Sequence, residues 1–170
     1  MLFVKFLQSL FNALNSEGTP GHVAAGIALG MVFGLTPLVS LHNLVFLAVA
    51  MLVTVSFPGV MLGWVLAMPL GFLLDPVFGA VGYALLTADA LAPLWTWTVN
   101  TPVVALFRFN NTIVLGSLVV WALALVPLFF LFRWLVGRYR TTVYARLEQV
   151  RFFRAVKASK LWNVYQMFRP

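Results

Sequence analysis

TIVLGSLVVWALALVPLFFLF, residues 112 to 132, is 21 residues long and carries no charge. At about 1.5 Å of rise per residue an α-helix of this length matches the hydrocarbon core of a bilayer, about 30 Å thick. The run therefore predicts a membrane-spanning helix. The rest of the chain agrees with that solvent: 62% of residues are hydrophobic, 9% are charged and the mean hydropathy is +0.99. Soluble domains carry roughly 25% charged residues. The expected fold class is an all-α integral membrane protein with about four membrane-embedded helical passes and interfacial amphipathic helices at both ends.

Charge orients the segment. The chain has a net charge of +7, yet no Lys or Arg occurs from Phe6 to Phe107, and nine of the eleven basic residues lie from Arg133 onward. By the positive-inside rule the tail, 133–170, is cytoplasmic. Residues 112–132 then run from outside to inside, and the loop at Arg108, Asn110 and Asn111 is external. In the tail, basic residues alternate at helical spacing with Tyr139, Val143, Leu147, Val150, Phe153 and Val156. That pattern fits an amphipathic helix on anionic membrane lipids better than nucleic-acid binding; a soluble partner-binding helix is the plainer alternative. Cysteine is absent, which excludes disulfides, thiolate metal ligands and Cys nucleophiles.

Toward the N-terminus, residues 1–15 place Phe3, Phe6, Leu7, Leu10, Phe11 and Leu14 on one face and Lys5, Gln8, Ser9 and Asn12 on the other. This predicts an interfacial helix rather than a cleaved signal peptide, so both termini are expected in the cytoplasm. Thr19-Pro20 supplies a cap and a first-turn proline for the next helix. The membrane domain, 19–132, opens with Gly26, Gly30 and Gly34 at four-residue spacing, flanked by Ala24 and Ala28. Small residues in that register form a groove that admits another backbone. After Leu35-Thr36-Pro37 only 14 apolar residues, 44–57, precede Pro58. Residues 22–57 thus read either as a re-entrant helical hairpin turning at Val39 to Asn43 or as two tilted spans. Residues 60–86 cross outward with a break expected at Pro69 and Asp75-Pro76. Residues 88–109, with Trp95, Trp97 and Asn100, read as an external interfacial segment.

Few side chains offer chemistry. Asp75 stands in the apolar run GFLLDPVFGA, where an ionised carboxylate costs about 2.5 to 3.5 kcal/mol. It can cap a helix starting at Pro76, stay protonated, or line a polar cavity with His42 and Asn43 as a proton or ion site. Arg108, Asn110, Asn111 and Thr112 precede the last span and either cap it or hold a phosphate headgroup. His22 and His42 do not have metal-site spacing, so neither a metal nor any other cofactor is expected. No nucleophile elbow, phosphate loop or carboxylate pair occurs, so a non-enzymatic role is expected.

Pro20, Ala24, Gly26, Ala28, Gly30, Phe33, Gly34 and Pro37 resemble the P-x-x-x-A-x-G-x-A-x-G-x-x-F-G-x-x-P pattern of a bacterial membrane domain of unknown function, family two-thousand-and-sixty-two. FNNTIVLGS, residues 109–117, is similar to the signature of a proteobacterial subgroup of that family. Met68-Pro69 departs from it, since many members carry Asn-Pro there. The resemblance implies a bacterial cell inner-membrane location and a larger envelope protein as partner. Two expectations follow, the first from the glycine groove and the resemblance, the second from the polar residues at the helix breaks. One is a subunit that packs on an envelope partner through the glycines, in lipid transport or envelope maintenance. The other is a small homo-oligomeric transporter or channel with its site around Asp75 and His42.

Overall fold

A computed structural model describes residues 14, 18–38 and 40–144. The expected interfacial helix at 1–15, apart from Leu14, and the tail beyond residue 144 lie outside these residues. Among the described residues every regular element is helical.

Helix α1, Pro20–Leu35, starts where the Thr19 hydroxyl accepts from the His22 backbone N–H at 3.3 Å, with Pro20 in the first turn. It ends at Thr36, which precedes a proline and is therefore pushed into the extended region, φ −105° and ψ 157°. A short turn leads into α2, Leu41–Leu52. Helix α3, Phe57–Leu86, starts at Ser56, whose hydroxyl accepts from Gly59 N–H at 3.2 Å. The Ser56 N–H also donates to the His22 carbonyl at 3.1 Å, so α1 and α3 begin at one level.

Helix α3 has 30 residues, about 45 Å of rise. The break expected within 60–86 does not occur: the helix runs through both Pro69 and Pro76. Each proline removes one N–H from the ladder, and the intact turns on either side hold the helix together. Asp75 is consequently in mid-helix and caps nothing. After α3 come a 3₁₀ turn at Asp89–Leu91, helix α4 at Ala92–Asn100 and a single turn at Pro102–Ala105. The Trp95 indole N–H donates to the Leu85 carbonyl at 2.9 Å and ties α4 to the end of α3.

Helix α5, Thr112–Arg138, does not stop at Phe132 as expected. It continues through Arg133 and Arg138 into a wide π-helical turn at Tyr139–Tyr144. There the Arg140 guanidinium donates to the carbonyls of Leu14 at 3.0 Å and Gly18 at 2.7 Å, joining the two ends of the described chain.

The core is built on α1, nine of whose 16 residues are buried. Glycines set how closely its neighbours approach. A Cβ at Gly26 or Gly30 would overlap the backbone of Ser56 or Val60, and one at Gly34 that of Trp64 and Met68. These pairs rise together along both helices, so α1 and α3 run parallel. Gly82 against Thr112 and Gly116 against Phe78 pair in opposite order, so α5 runs antiparallel to α3. Phe78, Met31, Val32 and Trp121 fill the space between the three helices.

Among the described residues two helices are long and apolar enough to cross a membrane: Phe57–Leu86, with a mean hydropathy of 1.8, and the stretch 112–142, with 2.5. Only 33% and 28% of their most apolar windows are buried inside the chain. Large apolar side chains such as Phe72, Leu73, Leu123 and Phe130 face outward instead.

Candidate functional site

The polar groups gather where α1 turns into α2. The Thr36 hydroxyl donates to the Val32 carbonyl at 2.8 Å and lies 2.9 Å from Asn43 Oδ1. Asn43 Nδ2 donates to the carbonyls of Pro37 and Leu38 at 2.9 and 3.1 Å, and the Ser40 hydroxyl donates to Pro37 at 2.7 Å. Thr36 and Asn43 are both buried. One short side chain thus satisfies carbonyls that neither helix can reach, which a buried reversal requires.

This tip stops halfway along α3. Gly71, the midpoint of that helix, packs against Gly34 and Leu35, the last turn of α1. His42 is 3% exposed, and neither of its ring nitrogens has a hydrogen-bond partner among the described residues. Phe46, one turn farther along α2, meets Trp121 edge-on with centroids 4.9 Å apart. The Trp121 N–H in turn donates to the Ala28 carbonyl at 3.0 Å.

From the other side the segment after α4 folds back toward the tip. Arg108 adopts φ 56°, a left-handed conformation uncommon for a side chain of its size. It lines a cavity together with Leu38, Ser40 and Asn43 of the tip and Trp64 of α3. The Trp64 indole nitrogen is itself buried and without a partner among the described residues.

The residues singled out from the sequence separate into three places. Asp75 is half-buried one turn beyond Gly71, and no hydrogen bond joins it to His42. Asn43 belongs to the turn network. Asn111 accepts from Ile113 N–H at 3.0 Å and Val114 N–H at 3.1 Å, closing the start of α5. Those N–H groups are therefore not open to a phosphate, and Arg108 lines the tip cavity instead. Gly26, Gly30 and Gly34 face α3 of the same chain, with Ala24 and Ala28 buried beside them. The groove expected to receive a partner's helix is filled from within.

Trp64 and Trp121 were not singled out from the sequence. Trp121 looks like any apolar residue of a span, since its partner Ala28 is 93 positions away. The Thr36-Pro37 and Asn43 combination carries a readable signal: a breaker followed by an amide at the range of a turn.

Among the described residues, parallel α1 and α3, antiparallel α5 and a short hairpin arm define an all-helical fold with two helices of spanning length. The chain belongs to the bacterial family described as "Uncharacterized protein conserved in bacteria (DUF2062)", whose model matches residues 5–144. That match establishes the resemblance drawn from Pro20 to Pro37 and extends well beyond it. The chain is also similar to an uncharacterized protein of Treponema pallidum (strain Nichols), 30% identical over 161 residues, which are 93% of this chain and 98% of that protein. No solved structure matches it.

Proposed function

We infer that the chain is a multi-pass protein of the bacterial inner membrane, non-enzymatic, that handles lipid in the envelope together with a larger partner protein. The observation that carries this reading is the outward placement of the apolar side chains on α2, α3 and α5. A soluble protein does not expose an apolar surface of that extent, whereas a bilayer covers it. The basic residues Arg133, Arg138 and Arg140 then lie on the cytoplasmic side at the end of α5. In that frame α3 crosses the bilayer outward, α5 crosses back, and α1–α2 is a re-entrant hairpin with its tip near mid-depth.

Because α3 occupies the glycine groove, a partner's helix has to meet the outer faces, where Phe72, Leu73 and Val77 project. The reading is tested by alkaline carbonate extraction and by flotation with vesicles. Release into the soluble fraction would overturn it. Retention, followed by co-purification of an envelope protein in mild detergent, supports both halves.

The second reading, an oligomeric transporter or channel, draws on the His42 ring in the hairpin tip, which has no hydrogen-bond partner among the described residues. Buried polar groups beside broken helices are typical of transport sites. Reconstituted flux that is unchanged by both His42→Phe and Asp75→Asn would count against it.

A further inference from the structure

Between α2 and α3 lies a cavity of about 850 Å³. Leu41, Leu44 and Leu47 wall it from α2, and Phe57, Met61 and Trp64 from α3. Both sets follow helical spacing, so two apolar stripes face each other across the gap. The volume falls in the range of sites for whole small molecules.

The two ends of the cavity differ. Toward the α3 start it is wholly apolar. At the hairpin tip it is lined by Ser40, Asn43 and Arg108, and no acidic residue lines it anywhere. The Arg108 guanidinium makes no hydrogen bond or ion pair among the described residues. Leu38 and Leu106, both exposed, line the cavity with it. Arg108 is itself exposed at the edge of the cavity, so its charge is open to an anionic group that arrives there. The left-handed backbone at Arg108 adds a local cost, of the kind that concentrates at binding sites.

We propose that this cavity holds one acyl chain of an anionic phospholipid, with the lipid phosphate set against Arg108. The proposal rests on the membrane reading above and names the ligand class for it. An apolar helix of another protein would leave Arg108 without a counter-charge. A free phosphate would leave the two apolar stripes uncovered. A phosphate carried on an acyl chain meets both ends of the cavity at once, and Arg is the side chain best matched to phosphate oxygens.

The test uses the full chain in nanodiscs of equal phosphatidylglycerol and phosphatidylethanolamine, transferred to mild detergent and weighed by native mass spectrometry. The wild type is expected to retain one phosphatidylglycerol in preference to phosphatidylethanolamine. Arg108→Asn removes the charge while tolerating the left-handed backbone, and is expected to lower that retention about tenfold. Arg108→Lys keeps the preference. Leu47→Trp fills the apolar end and abolishes retention of both lipids. Excess inorganic phosphate leaves the lipid in place. Retention unchanged in Arg108→Asn, insensitive to Leu47→Trp, or lost to inorganic phosphate would overturn the proposal. Flotation of the same samples separates the two failures: a chain that floats without retaining phosphatidylglycerol overturns the lipid site alone, and a chain that does not float overturns the membrane reading.

Discussion

Gly30 of α1 lies so close to Val60 of α3 that a Cβ at position 30 would overlap the Val60 backbone. The relation is reciprocal one step along, where Gly63 lies against the carbonyl of Ile27. The two helices meet backbone to backbone, as small-residue repeats permit in lipid.

Gly30→Ala should therefore destabilise the protein by about 1–3 kcal/mol, the usual cost of overpacking a tight interface, and Gly30→Leu should prevent accumulation of folded protein. Gly79 serves as the control. Nothing lies within 4 Å of a Cβ built there, and alanine is the better helix former by up to about 1 kcal/mol, so Gly79→Ala should be neutral or slightly stabilising. Unfolding in mixed detergent and SDS compares them; equal effects at the two sites would refute the packing.

Trp121→Phe keeps an aromatic ring against Phe46 but deletes the donor to Ala28. Hydrogen bonds between helices in lipid average about 0.6 kcal/mol and reach about 1.7. A loss in this range is expected in the same unfolding assay, and a loss indistinguishable from zero would mean the bond contributes nothing to holding α5 on α1.

At the hairpin tip Asn43→Ala removes the donors to Pro37 and Leu38 and the partner of Thr36 in one step. Buried carbonyls left without partners cost about 1–3 kcal/mol. Thr36→Val removes one hydroxyl and leaves the Asn43 donors in place, so it should cost less. Unfolding in mixed detergent and SDS reads the order directly. Equal stability in both variants would contradict the network.

Asn111→Ala should cost about 1 kcal/mol through loss of the cap on α5. Asn110→Ala, one residue earlier and outside that cap, should be silent in the same unfolding series.

Local chemistry was legible in the sequence where it was local. Thr19-Pro20 and Asn111-Thr112 announce helix starts because capping acts within three residues. The glycine register of α1 announces close packing, but the spacing says nothing about whether the other backbone belongs to the same chain. Asp75-Pro76 misleads for a physical reason: a proline breaks a helix readily in water, while in α3 the flanking turns keep the helix continuous. The approach of Arg108 to the hairpin tip was not legible at all, because it joins segments far apart in sequence across a cavity with no repeating pattern.

The absence of native cysteine allows the depth of the hairpin to be measured cleanly with single-cysteine variants and a membrane-impermeant maleimide on sealed vesicles of known orientation. The expected result is labelling of Thr87→Cys from the external face, of Thr142→Cys from the cytoplasmic face, and of Leu38→Cys from neither face at a comparable rate. Leu38→Cys labelled from outside as fast as Thr87→Cys would make α1 and α2 two full crossings and contradict the re-entrant hairpin.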